Sequence, residues 1–347
     1  MVTITRRALI VLVILLVAAS ARAEVYRHYF GNTHSHTQFS DGKETPADHF
    51  SLAKANGYDF YAVTDHALSK YKGYTPENYE TTKRDADRFT DSTFVGIAGF
   101  EFSENDGPGG TGHLNALNTT TTLDATGPKV TLTTFYDWLL DQPTTVAASF
   151  NHPGANTYNS FDYLTPARRD SVTMFEMINS GSAARYQAYL AALNKGWRVA
   201  PIAGTDDHGT WRLTRHFYRT GVLAPSLTRE NILQAMKARR VYCTWDPNLR
   251  LTLRANGAIM GSVLSKPSSL SFSIRAADPN VKDANDRVTR IEIVGESGVV
   301  MAAREFSTHT VSWNVTVPPT QKYYFAQVYC ADKTDGPTAY SAPIWIE

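Results

Sequence analysis

The chain has 347 residues, of which 42% are hydrophobic, 19% charged and 12% aromatic, with two cysteines. That length accommodates two domains, and the composition excludes a fibrous or disordered protein. Lys and Arg number 34 against 33 for Asp and Glu, giving a formal net charge of +1 and no electrostatic case for a nucleic-acid partner.

Arg6 and Arg7 precede an unbroken apolar run from Ala8 to Ala19, followed by Ala21-Arg22-Ala23. A basic start, a short apolar stretch and an A-x-A end make a secretory signal peptide. Residues 1–23 therefore read as a leader cleaved after Ala23, and the mature protein as periplasmic or secreted. An uncleaved N-terminal anchor is the alternative. The run is shorter than the ~20 apolar residues of a membrane-spanning helix, and no later stretch approaches that length. No stable membrane span is expected once the leader is gone.

From Glu24 the pattern alternates. Strands are expected at Tyr58–Val63, Phe94–Ala98, Thr145–Phe150, Val172–Met177 and Val199–Ala203. Between and after them come helices: Pro46 to Asn56, stopped by Gly57; Ser182 to Lys195, closed by Gly196; and Thr228 (as N-cap) to Arg239. Strands separated by such helices imply βα units around a parallel sheet or barrel. After Leu249 the text changes to short alternating stretches, Leu270–Ala276, Val288–Val294, Val311–Val317 and Tyr323–Tyr329, separated by turn-rich pieces. That pattern predicts a small antiparallel β-sandwich. The expected division is 1–23 leader, 24–246 α/β domain and 247–347 β-domain. Cys243 and Cys330 fall in different domains, compatible with a disulfide in an oxidising compartment and equally with two buried thiols. Asn118-Thr119-Thr120 and Asn314-Val315-Thr316 match glycosylation sequons by pattern only.

Ten histidines are unevenly spread, and only His309 lies in the C-terminal region. His34-Ser35-His36 ends the first strand, where residues i and i+2 share a face. Ser40-Asp41-Gly42 follows, then Thr64-Asp65-His66 after the second strand and Glu101 after the third. His113, His152-Pro153 and Asp206-Asp207-His208 complete the series. Alone, each of these is as compatible with a turn, a cap or a hydrogen-bonded rim residue. Together they fall at or just past strand ends, where α/β barrels gather their active sites. Imidazoles with carboxylates and no thiolate suit zinc, manganese or iron.

These motifs resemble the polymerase and histidinol phosphatase (PHP) superfamily, over about Tyr26 to Thr244 and in family order. The leader, the C-terminal β-domain, Gly221-Val222, Glu230-Asn231-Ile232 and Ala238-Arg239-Arg240-Val241-Tyr242 look most like its carbaryl-hydrolase-like branch. The resemblance implies a distorted (β/α)7 barrel with a trinuclear site at its C-terminal mouth. It also implies that His34, His36, Glu101 and Asp206 bind a first metal. Glu101 would bridge to a second, completed by His113 and His152, and Asp41, His66 and His208 would bind a third. Asp65, Asn115, Asn151 and Asp207 would orient the imidazoles, or serve as caps and turns.

Two or three divalent ions so placed generate hydroxide at neutral pH and polarise the bond under attack. The expectation is a metal-dependent hydrolase, with Glu101 and Asp206 central and His208 or Asp65 as candidate proton shuttles. Zinc is the first choice of metal, with manganese and iron as alternatives. The PHP resemblance favours small phosphate mono- or diesters as substrates, and the branch adds carbamates and carboxyl esters. Arg185, Arg212 and Arg215 could grip a phosphate or be ordinary surface arginines, and Trp211 and Tyr158 could line a leaving-group pocket. His216 beside them reads as structural. A binding protein with structural metals is the reading from another class. The sequence leaves the oligomeric state open.

Overall fold

The computed structural model describes residues 25–104, 111–127, 129–154, 156–210, 213 and 218–347. The expected leader, and Trp211, Arg212, Arg215 and His216, lie outside these residues.

The first part runs β1 (Arg27–Asn32), α1 (Pro46–Ala55), β2 (Phe60–Val63), α2 (Pro76–Phe89), β3 (Val95–Glu104), β4 (Gly112–Leu117), α3 (Leu132–Leu140) and β5 (Ala147–Asn151). It continues through β6 (Met174–Asn179), α4 (Tyr186–Lys195), β7 (Ala200–Gly204), β8 (Arg219–Ala224), α5 (Arg229–Lys237) and β9 (Val241–Thr244). Local chemistry sets the helix starts. Thr45 and Asp48 form a capping box around Pro46, and Thr75 and Thr228 accept from the backbone N–H groups of Asn78 and Asn231. Gly196, at φ 104°, ends α4 in the left-handed conformation. Strands β2, β5, β6 and β7 are buried along their whole length, as strands covered on both faces must be.

Pairing curls this sheet. β1, β2 and β3 are parallel, as are β5, β6 and β7, while β4 pairs antiparallel with both β3 and β5. Beyond β1 and β7 the chain tails meet. Ser35 bridges Asp207, His36 N donates to Asp207 O (2.7 Å) and Asp206 N donates to His34 O (3.0 Å). β8 lies antiparallel along the other end of β1, from Arg27 to Gly31. The mixed α/β class is as expected, and β3 and β4 follow one another with no helix between them. Only seven positions separate β3 from β4. They suffice for a hairpin and not for the crossover that a parallel neighbour requires.

The second part contains β10 (Arg250–Ala255), β11 (Ala258–Ile259), β12 (Val263–Leu264), β13 (Leu270–Ala277), β14 (Val288–Val294) and β15 (Val300–Thr308). It ends with β16 (Thr310–Val317), β17 (Tyr323–Cys330), β18 (Ala339–Ser341) and β19 (Ile344–Ile346). β11, β10, β13 and β16 form a four-stranded antiparallel sheet whose β13 alternates buried and exposed residues. Its Leu251, Phe272 and Trp313 share one apolar cluster with Ile291, Tyr324 and Val328 of β14 and β17. The remaining strands are not an independent sheet. β18 pairs with β9, Thr244 opposite Ala339 and Cys243 opposite Tyr340, so hydrogen bonding runs across the expected boundary at 246/247. Cys243 and Cys330 are free and buried, on β9 and β17, with β18 between those strands. Burial raises both thiol pKa values, that of Cys330 to about 12. No described helix is long and apolar enough to cross a membrane.

Candidate metal centre

Curling brings the ends of β1, β2, β5 and β7 together with Glu101 on β3 and His113 on β4. Glu101 lies within β3, not after it as expected, and bridges His66 across the neighbouring strand end. Three groups of donor atoms result. One ligand atom each from His34, His36 and Glu101 falls within 4.8 Å of the others, and so do those of His66, Glu101 and His113, and of His36, Asp41, His66 and His208. Asp206 Oδ1 stands 3.5 Å from His34 Nε2 and 3.2 Å from His36 Nε2, and His152 Nε2 is 3.3 Å from Glu101 Oε1. All nine residues named from the sequence converge on this mouth. They divide differently from the implied sets: His36 also joins the Asp41 group, and His66 joins Glu101 and His113.

The floor is closed and the rim open. His34, His36 and Glu101 are wholly buried, whereas the side chains of Asp41 and His208 are 32% and 42% exposed. Supporting residues hold the floor. His34 Nδ1 lies 2.8 Å from Glu176 Oε1, which fixes the proton on Nδ1 and turns the Nε2 lone pair inward, 3.0 Å from His36 Nε2. Glu176 Oε2 also accepts from the backbone N–H of His152 (2.7 Å) and from Asn179 Nδ2 (3.1 Å). Asn151 Nδ2 donates to Glu101 Oε1 (2.8 Å). His152 and Asp206 have φ of 33° and 51°, a conformation costly for residues other than glycine and characteristic of functional sites.

Charge is balanced at close quarters. Burial opposes the charge on His34, but the carboxylates of Glu176 and Glu101 raise its pKa well above the ordinary value. His66 goes up to about 10 because Glu101 and Asp41 outweigh its burial. His36 is lowered by burial and by the neighbouring His66. Burial works against ionisation of Glu101, Asp41 and Asp206 as well, yet the surrounding imidazoles hold all three carboxyls far below the usual range.

The residues fit divalent ions. Glu101 Oε2 and His113 Nδ1 are buried and make no hydrogen bond of proper geometry, and two imidazole Nε2 atoms face one another beside carboxylate oxygens. Such a nitrogen and oxygen set without thiolate matches zinc, manganese or iron.

Other sequence candidates fall differently. Asp65 is occupied: Oδ1 accepts from Thr37 N and Ser40 Oγ (2.7 and 2.6 Å), and Oδ2 from Thr37 Oγ1 (2.7 Å). It braces the loop that carries Asp41 and is a poor proton shuttle. Tyr158 is fully buried, its hydroxyl within reach of the carbonyls of His113 and Asn151, so it ties β4 to β5. Arg185 does approach the mouth, with Nη1 3.4 Å from the carbonyl oxygen of Pro153 and Nε without a hydrogen-bond partner. Asn115 donates to Thr33 O (3.1 Å). Glu176 was missed, although a lone carboxylate in the apolar run Val172–Met177 was a legible signal. Tyr71, stacked on His66 with 5.6 Å between ring centroids and donating to Asp41 Oδ2 (3.2 Å), carried none.

No family model matches the sequence, and no curated protein matches it. Among solved structures, the chain is similar to a two-domain protein of Bacteroides vulgatus described as containing a predicted PHP-like metal-dependent phosphoesterase. Identity is 16% over 92% of this chain and 95% of that one, with a TM-score of 0.51. The two chains share a fold. An amidohydrolase from Chromobacterium violaceum, with bound sulfate and no metal, covers 52% of this chain and 87% of its own at 14% identity and a TM-score of 0.33. The likeness to the Bacteroides vulgatus protein is one of fold, and it does not single out the carbaryl-hydrolase-like branch.

Proposed function

We propose that this protein is an exported metal-dependent hydrolase that uses a multinuclear, trinuclear by donor count, centre to open small phosphate mono- or diesters. The observation that carries the reading is three overlapping donor groups in one mouth, two of them sharing the buried Glu101 and the third joined to them through His36 and His66. Divalent ions bound there would supply a water of lowered pKa and a positive field for charge developing on the leaving oxygen. His34, His36, Glu101 and Asp206 would hold the inner ion. His113 and His152, 3.4 and 3.3 Å from Glu101 Oε1, would serve the next, and Asp41, His66 and His208 the outermost. Glu176 and Asn151 keep His34 and Glu101 in orientation. His208 stands on the exposed rim, and its Nδ1 faces Asp206 O at 3.0 Å, which leaves Nε2 for the outermost ion. Arg185, whose Nη1 is 3.4 Å from Pro153 O beside His152, would receive one phosphate oxygen. Export rests on the leader sequence alone.

The test is a screen of mature protein stripped and reloaded separately with zinc, manganese or iron. Nitrophenyl phosphate, bis-nitrophenyl phosphate, nitrophenyl acetate and a naphthyl carbamate serve as substrates. Turnover of the phosphates supports the proposal and identifies the working metal. Turnover of the acetate or carbamate alone replaces it with a carbaryl-hydrolase-type activity, and no turnover by any metal-loaded form leaves a binding protein. Loss of turnover with retained fold in Glu101→Ala excludes that last reading.

A further inference from the structure

A second group of acidic side chains lies away from the mouth, where the two parts of the chain join. Asp246 follows β9, Asp278 follows β13 and Asp286 precedes β14. One carboxylate oxygen from each lies within 4.8 Å of the other two. Ligands 2.3–2.6 Å from a shared calcium ion are separated by about 5 Å at most. The three carboxylates therefore already satisfy the spacing of a coordination sphere.

The observation that points to an ion is Asp278. Its side chain is only 2% exposed, and its Oδ1 accepts from Asn280 N at 2.7 Å. Oδ2 is buried and makes no hydrogen bond. A buried carboxylate oxygen without a donor is costly unless a cation meets it. Among the described residues no Lys or Arg forms an ion pair with Asp246, Asp278 or Asp286. Lys333 pairs with Asp335 and lies over the Trp245 ring. Asn248 Oδ1, two residues from Asp246, is likewise buried and unbonded. Two further oxygens are anchored: Asp246 Oδ1 by Asn248 N and Leu249 N (2.7 Å each), and Asp286 Oδ2 by Asn280 Nδ2 (2.7 Å). Burial and the neighbouring Asp246 and Asp286 raise the pKa of Asp278 to about 6.

We infer that Asp246, Asp278 and Asp286 form a calcium site that clamps the end of β9 to the C-terminal strands. Oxygen donors alone, on irregular loops, suit calcium and exclude the softer ions that the imidazole-rich mouth would take. The site supplies no catalytic group, and the inference stands whether or not the proposed hydrolysis does.

The experiment uses the full mature chain and two readouts, thermal unfolding and terbium luminescence excited through tryptophan, with Trp245 adjacent to Asp246. Calcium at about 5 mM should raise Tm by about 2–4 °C and displace terbium. Asp278→Asn and Asp286→Asn, each removing one charge, should lose both responses, while Glu101→Ala, altered only at the mouth, should keep them. The inference is overturned if wild type shows no calcium response, if the response survives both Asn variants, or if it vanishes in Glu101→Ala. A wild type without the response and a more stable Asp278→Asn would mean that Asp278 merely shares a proton with Asp246.

Discussion

His34 Nδ1 and Glu176 Oε1 lie 2.8 Å apart with both side chains fully buried. This pair sets the direction in which the deepest imidazole presents its free nitrogen. Replacing Glu176 by Gln removes the charge and half of the hydrogen-bonding logic while keeping the volume. Metal affinity, read by titration with a chromophoric chelator, should fall about 10–100-fold. An unchanged affinity would remove Glu176 from the metal centre's support.

Gly204 sits against the same pair. A Cβ at this position would lie 1.9 Å from Glu176 Oε1 and 3.0 Å from His34 Cβ. Gly204→Ala should therefore displace Glu176 and cost about 1–3 kcal/mol of stability. Urea unfolding and metal content should both report the change. A variant with wild-type values for both would show that β6 and β7 yield more easily than their close packing suggests.

Removal of metal gives the third prediction. Dialysis against a chelator should abolish ester hydrolysis, and the Tm should fall because like-charged and orphaned groups are left facing one another in the mouth. Readdition of one of the three candidate metals should restore both. Full activity in protein shown metal-free by elemental analysis would refute the proposed chemistry.

Acid should unfold the protein in a predictable window. His49 is fully buried, and burial lowers its pKa to about 4 despite the nearby Asp65 and Glu44. The unfolded chain takes up that proton near pH 6.5 and the folded protein only near pH 4. The neutral imidazole's contribution is therefore complete above pH 6.5 and is lost as pH falls from there to about 4, by roughly 2–3 kcal/mol at pH 4.5. His49→Gln should flatten that part of the stability profile. An identical acid slope in the variant would assign the loss to other groups.

Arg185 supplies a substrate test. Arg185→Ala should raise KM for a phosphate ester about 10–100-fold and leave that for a neutral ester nearly unchanged, since one charge-assisted hydrogen bond is worth about 1.5–3 kcal/mol. Equal effects on both would make Arg185 a brace for the His152 loop.

Much of this was legible in the chain. Thr45-Pro46 and Thr228 announced their helices through local capping chemistry, and the apolar runs before Thr64 and Thr205 marked β2 and β7. The ligand types were visible because histidine and acid at strand ends are chemically conspicuous. What escaped depends on pairing. Nothing local distinguishes the antiparallel β4 from a parallel neighbour, nor shows that β18 would seek β9. Glu176 reads as an odd residue in a buried strand until folding sets it beside His34. The grouping of nine ligands into sets is likewise a matter of distances that spacing along the chain does not encode.

The pairing of β9 with β18 has a consequence for how the molecule is made. β9 obtains its second neighbour only from residues about a hundred positions further on. Until those residues arrive, a fully buried apolar strand offers a bare edge to any other chain. Such distant closure is slow. Protein halted after the first part should accumulate as aggregate, and the complete chain should need shelter until its C-terminal strands dock.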